Sequence, residues 1–290
     1  MRFTFMKNHA KEFCIEKMAK ILGVSCSGYY KYLNRPSSIR QMENMRLLGE
    51  IQKAYKKGRR MYGSPRIHRE LKKNGETCSR KRIAKIMRQE KIQAKTRKHW
   101  KVTTKSNPKA KVAPHRLQQN FSVEVPNKIW VSDITYIETL EGWLYVTVVL
   151  DLFSRKAVGL SMGASLETGL VVRALEQALC HRKFSGSLIH HSDKGCQYTS
   201  KEFLKFTQAH RIELSMSGKG NCYDNAVAES FFHTLKTEHT NHYKFKTREE
   251  AMTSIFEYVE VFYNRQRLHS SLGYLSPDEY ERGKKSKEVA

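Results

Sequence analysis

Three acidic residues carry the clearest chemical signal in the sequence: Asp133, Asp193 and Glu229. Asp133 sits among Val131, Ile134 and Ile137 in KIWVSDITYIET, an alternating stretch rich in Ile, Val and Tyr that reads as a strand. A carboxylate in such a strand is costly unless it is paired or bound to metal. Asp193 ends SLIHHSD, a short apolar run that reads as a buried strand. Glu229 lies in NAVAESFFHTLKTEH, which reads as a helix. If the two strands are neighbours, both aspartates point into one notch at the sheet edge. A helix laid across that edge supplies the third acid. Three carboxylates without Cys or His company suit a hard, oxygen-preferring cation, Mg2+ or Mn2+. Two such ions about 3.5–4 Å apart clamp the attacking and leaving oxygens of an in-line phosphoryl displacement. Asp133, on the central strand, is expected to be the carboxylate shared by both ions. Asp151 ends the next strand and is the main decoy, while His190 and His191 read as packing or hydrogen-bonding residues rather than ligands.

The charge balance points to the substrate. The 290 residues carry 53 Lys and Arg against 28 Asp and Glu, a net charge of +25. Residues 1–120 hold 32 of the basic and only 7 of the acidic side chains, so the whole excess lies in the front part. A polyanion explains this asymmetry, because each cation that neutralises a phosphate releases a counterion. Six cysteines stand without C-x-x-C or zinc-finger spacing, which predicts free thiols in a reducing compartment. No apolar run is long enough to span a bilayer and the start lacks a signal-peptide stretch, so a soluble cytoplasmic protein with no membrane partner is expected.

Two helix-turn-helix candidates account for the basic front. In the first, Ile15, Met18, Ala19 and Leu22 recur at helical spacing, Gly23 breaks the helix, and Ser25 or Ser27 caps a second helix ending near Leu33. The second runs from Ser64 to Ile92, with Pro65 in the first turn, Asn74-Gly75 as the break and Ser79 as the next cap. Its last helix carries Ile83, Ile86 and Met87 on one stripe and Arg80, Lys81, Lys85 and Arg88 largely on another, placed to meet DNA phosphates. Residues 95–120 read as a basic linker with no regular apolar period. Beyond it come three strands, a helix, a strand, a helix, a strand and a helix, which predicts an α/β fold: a mixed sheet with helices on its faces. REEAMTSIFEYVEVFYNRQ reads as one further helix packed on that core. The expected domains are therefore 1–38 and 39–94 for the two DNA-binding regions, 95–120 for the linker, 121–240 for the catalytic core and 241–290 for a helical extension.

Asp133 and Asp193 are 60 residues apart, and 35 residues separate Asp193 from Glu229. This spacing resembles that of the Asp-Asp-35-Glu transposases and retroviral integrases. IWVSDITYI, HHSDKGCQYTS, GNCYDNAVAESFFHTLKTE and the tail YNRQRLHSSLGYLSP resemble the second-frame (OrfB) transposase of the insertion-sequence-three family, and SGYYKYL and YGSPRIHREL are similar to its helix-turn-helix regions. The resemblance covers nearly the whole chain. It implies an RNase H-like catalytic core preceded by small all-α DNA-binding regions. It also implies nicking at element ends followed by attack of the freed 3′-OH on DNA. The implied partners are double-stranded DNA, as terminal inverted repeats and target, and further copies of the chain on that DNA, in a bacterial cytoplasm at the nucleoid. Lys236, seven residues after Glu229 and so on the same helix face, is implied to meet the DNA end. Arg265, Arg267 and His269 in the tail are open to either DNA contact or pairing with core acids. Two other readings share part of these features: a non-catalytic DNA-binding regulator, which an intact set of three acids disfavours, and an RNase H-type nuclease, which leaves two duplex-reading modules without a purpose.

Overall fold

A computed structural model of the protein describes residues 1–36, 38–95, 123–182, 187–217 and 226–288. Its front is helical: α1 (Arg2–Asn8), α2 (Ile15–Leu22), α3 (Cys26–Leu33), α4 (Ile39–Lys57), α5 (Ser64–Lys73) and α6 (Arg80–Gln89). Gly23 closes α2 in the left-handed conformation at φ 62°, which a side chain would resist. Ser25 then caps α3 by accepting from the Gly28 backbone N–H at 3.0 Å. The α1–α3 unit closes over a small core of Met6, Met18, Ala19 and Tyr29. The long α4 opens with a capping box between Ser38 and Gln41. Ser79 caps α6, accepting from the Arg82 N–H.

The second half is built on a five-stranded sheet of order β3-β2-β1-β4-β5: β1 (Ile129–Thr139), β2 (Gly142–Asp151), β3 (Ala157–Gly163), β4 (Leu188–Ser192) and β5 (Ile212–Met216). The first three strands run antiparallel, while β4 lies parallel to β1 and β5 parallel to β4. α7 (Thr168–His181) and α8 (Lys201–Ala209) supply the crossovers, and α9 (Ala226–Glu238) follows. This is the expected mixed sheet, with the strand order of an RNase H-like core. Successive residues of β1 face opposite layers. Trp130 packs with Val171, Leu175 and Phe203, from α7 and α8, on one side. Val131 joins Phe231 and Leu235 of α9 on the other. α7 crosses β3 so closely that a Cβ on Gly159 would stand 2.1 Å from the Ala174 carbonyl oxygen.

The expected last helix is two pieces. α10 (Arg248–Glu257) passes into a π-helical turn over Tyr258–Tyr263, where Asn264 N–H bonds back to Val259 O at 2.9 Å. The wider turn buries Tyr258, Val259, Phe262 and Tyr263 together. α11 (Pro277–Glu288) closes the chain. Apolar residues of α4–α6, such as Leu47, Ile51, Ile67 and Ile83, belong to the same packed cluster as the α9 and α10 layer, so the second helical module is docked on the core. The linker expected at 95–120 lies, apart from Lys95, outside the described residues, as does nearly all of the Gly- and Asn-rich GKGNCYDNA. Among the described residues no helix is long and apolar enough to cross a membrane.

Candidate active site

The parallel pairing of β1 with β4 sets the site. Val131 is opposite His191, the last pair of that ladder, so two residues on, Asp133 in β1 and Asp193, just past the end of β4, continue toward the same sheet face. That face is the one α9 covers, and Glu229 lies in the first turn of α9. Asp133 Oδ1 accepts from the Ile134 N–H at 2.8 Å, and Asp193 Oδ1 from the Gly195 N–H at 2.9 Å. Among the described residues these contacts leave the other carboxylate oxygens of Asp133 and Asp193 available.

The electrostatics tie the three acids together. Asp133 is pushed up to about 7, first by burial and then by the Asp193 charge, with a further push from Glu229 and a counter-pull from Lys236. Burial also raises Asp193 and Glu229. No Lys or Arg forms an ion pair with any of the three among the described residues, unlike Asp151, Glu238 or Glu281. Oxygen donors on the half-buried Asp133 and Asp193 and on the exposed Glu229, with no basic ion-pair partner among the described residues, suit a divalent cation. Among the described residues, no three His, Cys, Asp or Glu side chains already stand close enough together to hold an ion. The acids are coupled through their fields across one notch rather than by contact.

Lys236 lies two helical turns beyond Glu229 with its Nζ 5.0 Å from the Tyr136 ring centroid. Burial lowers it and Asp133 raises it, so its charge faces the same notch. Arg80, Lys81, Lys85 and Arg88 are all exposed on α6, clear of the buried Ile83, Ile86 and Met87. They form a surface separate from the acids in the chain. Arg82, between them, instead bonds Asn44 at 2.9 Å and Glu43 at 3.1 Å.

The other candidates have structural partners. Asp151 is wholly buried, accepts from the Asn127 and Phe153 N–H groups at 2.9 and 3.0 Å, and pairs with Arg182 at 3.3 Å. His190 bonds Ser132 at 2.8 Å on the α7–α8 face of the sheet, and His191 bonds Ser215 at 2.9 Å on the opposite face. Arg267 is buried and pairs with Glu238 at the end of α9 at 2.7 Å, while the His269 ring packs edge-on against Tyr263 with centroids 4.8 Å apart. Two features escaped the sequence reading. Tyr198 is wholly buried and feels both Asp133 and Asp193 behind a dominant burial effect; its place in HHSDKGCQYTS was the available signal. Glu238 receives Arg66 from the second helical module at 3.2 Å, a contact no local pattern announces.

Two family models described as Integrase core domain match residues 124–222 and 229–284, and one described as HTH-like domain matches residues 42–100. An insertion element IS600 uncharacterized 31 kDa protein of Shigella sonnei is 42% identical over 260 residues, covering 90% of this chain and 96% of that protein. The transposase InsF for insertion sequence IS3A of Escherichia coli is 37% identical over 283 residues, covering 97% of this chain and 98% of that protein. Among solved structures, a simian T-cell lymphotropic virus intasome in complex with a PP2A regulatory subunit aligns with TM-score 0.47 at 14% identity, covering 76% of this chain and 70% of that one. The HTLV-2 integrase catalytic core domain in complex with magnesium aligns with TM-score 0.43 at 18% identity, covering 54% of this chain and 97% of that one. With 37% identity to an IS3 transposase across 97% of its own length, the chain belongs to the insertion-sequence-three family of DNA transposases.

Proposed function

We propose that Asp133, Asp193 and Glu229 are the catalytic carboxylates of this transposase and hold Mg2+ or Mn2+, as two ions, while DNA strands are cut and joined. The observation that carries this reading is the β1–β4 register, which directs Asp133 and Asp193 toward the face covered by α9. When bound, the ions activate the attacking oxygen and stabilise the leaving 3′ oxygen. The protein supplies the rest. Asp133 orients from a strand and Asp193 from the residue that follows one, which suits a constellation that must be held to fractions of an ångström. Glu229 approaches from the helix above. Lys236 meets a phosphate of the DNA end beside the carboxylates. Arg80, Lys81, Lys85 and Arg88 hold the backbone of the terminal inverted repeat, and the 1–38 helices add a second DNA contact. Residues 39–94 and 121–240 act as the DNA-binding and catalytic domains, joined by 95–120 and buttressed by 241–290. Several copies assemble on the DNA, as cutting and joining two ends requires more than one site.

Asp133→Ala, Asp193→Ala and Glu229→Ala are each expected to abolish Mg2+-dependent strand cleavage on a duplex carrying the element's terminal repeat, with duplex binding retained in gel-shift assays. Cleavage surviving in all three variants would overturn the assignment.

A further inference from the structure

Where the second helical module meets the core, a cavity of about 310 Å3 opens between the C-terminal ends of α4 and α9. Its walls include Lys56, Arg59 and Arg60 at the end of α4, Lys95 where the chain leaves the module, and His239 and His242 just beyond α9. We propose that this cleft binds a backbone phosphate of duplex DNA, the same duplex whose end lies at the three acids; the second clause rests on the catalytic reading above, the first does not.

Charge is the first ground. Among the described residues Glu238 is the only acid lining the cavity, and Arg267 and Arg66 already hold its carboxylate. Arg59 is occupied by Glu257, donating from Nη1 at 2.9 Å. Lys56, Arg60 and Lys95 are exposed and have no acidic partner among the described residues. Three uncompensated cations around one hollow repel one another, and an anion between them removes that cost.

Backbone strain is the second ground. Arg59 and Arg60 are consecutive non-glycine residues in the left-handed region, at φ 52° and 65°. Such residues cost roughly 1–2 kcal/mol each and persist only where the surroundings impose them. The turn is imposed here by Arg60 N–H to Tyr55 O at 2.8 Å and Lys95 N–H to Arg60 O at 2.8 Å. The second bond also fixes Lys95 beside Arg60, so the strained turn and the departing chain aim their cations at one hollow.

Position is the third. Glu229 and Glu238 stand nine residues apart on α9, roughly 14 Å along the helix at 1.5 Å per residue. Phosphates along one strand advance about 3.4 Å per base pair. Nine residues also turn half-way round the helix, so a duplex that leaves the acids and rounds α9 brings a phosphate to the cleft no closer than about four base pairs from its end.

The test uses the full chain, a blunt linear DNA duplex and no divalent ion, so it reads the cleft whether or not the acids are catalytic. Arg60→Gly removes the cation and suits the left-handed backbone, which guards against misfolding; it is combined with Lys95→Ala. The double variant is expected to bind about tenfold more weakly, the equivalent of one charge-assisted hydrogen bond, and to lower the slope of log affinity against log salt by about 0.9. Lys201→Ala with Lys205→Ala, exposed on α8, removes the same charge and is expected to leave the slope unchanged. An unchanged slope in the cleft variant, or an equal fall in the α8 control, would overturn the proposal. Replacing single phosphates by neutral methylphosphonates should then show one position, at least about four base pairs from the end, where neutralisation weakens the wild type and not the cleft variant. A sensitive position elsewhere would overturn the shared-duplex clause alone.

Discussion

Arg66, in the second helical module, donates to Glu238 at the end of the proposed catalytic helix, 3.2 Å away. The same carboxylate receives Arg267 through Nε and Nη2, each at 2.7 Å, and the Tyr258 hydroxyl at 3.0 Å. The Arg267 contacts and then the other partners hold the Glu238 carboxyl below its usual range despite burial. Removing one member leaves a buried charge without compensation, which typically costs about 3–5 kcal/mol. Arg267→Met is expected to destabilise the protein by about that amount in urea unfolding. Adding Glu238→Leu should recover much of it, because the stranded charge is then gone. A milder loss in the single variant would mean that Glu238 simply takes up a proton.

Asp133 makes stability depend on pH with a definite sign. Its ordinary value is 3.8, and in the fold it is pushed up to about 7 by burial, then by Asp193. Between those values the folded chain holds a proton that the unfolded chain has released. The contribution is complete below the lower value and disappears as pH rises through the upper one. Without divalent ions, Asp133→Asn should therefore match the wild type in acid and exceed it at about pH 8, by a few kcal/mol. Buried histidines such as His190, held down at about 3 by burial, lose stability in the opposite direction as pH falls. The difference between wild type and Asp133→Asn isolates the aspartate, and thermal unfolding across pH measures it. Mg2+ should restore the wild type at high pH and leave the Asn variant little changed.

The α6 cations divide by partner. Arg80, Lys81, Lys85 and Arg88 are exposed, whereas Arg82 is tied to Asn44 and Glu43. Each of the first four that meets a phosphate contributes about 0.9 to the salt slope of DNA binding. Neutralising Lys85 and Arg88 together should lower that slope by up to about 1.8 and leave unfolding unchanged. Arg82→Ala should do the reverse, weakening the α4–α6 packing with the slope intact. Salt titrations and urea melts on the same samples separate the two outcomes.

What the sequence disclosed was local or periodic. β1 and β4 were legible because apolar residues flank Asp133 and precede Asp193, and the Gly23 break and the Ser79 cap mark helix ends by local chemistry that needs no tertiary partner. α4 was hidden because only Leu47, Ile51 and Ala54 of its 19 residues are buried, while Ile39, Met42 and Met45 face outward and blur the stripe. α11 was hidden for a different reason. It is polar, and is anchored by Glu281 to Ser154 and Arg182 rather than by an apolar face. The π-helical turn at Tyr258–Tyr263 is a shift of hydrogen-bond register that packing selects, and REEAMTSIFEYVEVFYNRQ reads equally well without it. The three acids could be named from spacing, but their coupling could not, because it depends on which strands pair. The docking of the helical module was equally out of reach: the Tyr62 hydroxyl donates to Gln266 O and accepts from the Leu268 N–H, each at 3.0 Å, across some 200 residues of chain.

Lys236 is where the chemistry of the notch meets that of its substrate. Its ammonium lies over the Tyr136 ring, 5.0 Å from the centroid, and its field lowers the Asp133 carboxyl. A side chain that merely balanced Asp133 would be expected to form an ion pair with it, and among the described residues no such pair exists. The tyrosine face holds the cation near the acids without consuming it, which leaves its three donors for a phosphate. Lys236→Ala should therefore weaken binding of a terminal-repeat duplex by about 10–100-fold, the range of one hydrogen bond to a charged group, and lower its salt slope by about 0.9. Lys236→Arg should restore the slope, since the charge returns, but restore cleavage only partly, because a planar guanidinium stacks on the ring in a different plane. If Lys236→Ala left DNA affinity unchanged and altered only the pH at which Mn2+ binds, the lysine would be an electrostatic neighbour of Asp133 and not a DNA contact.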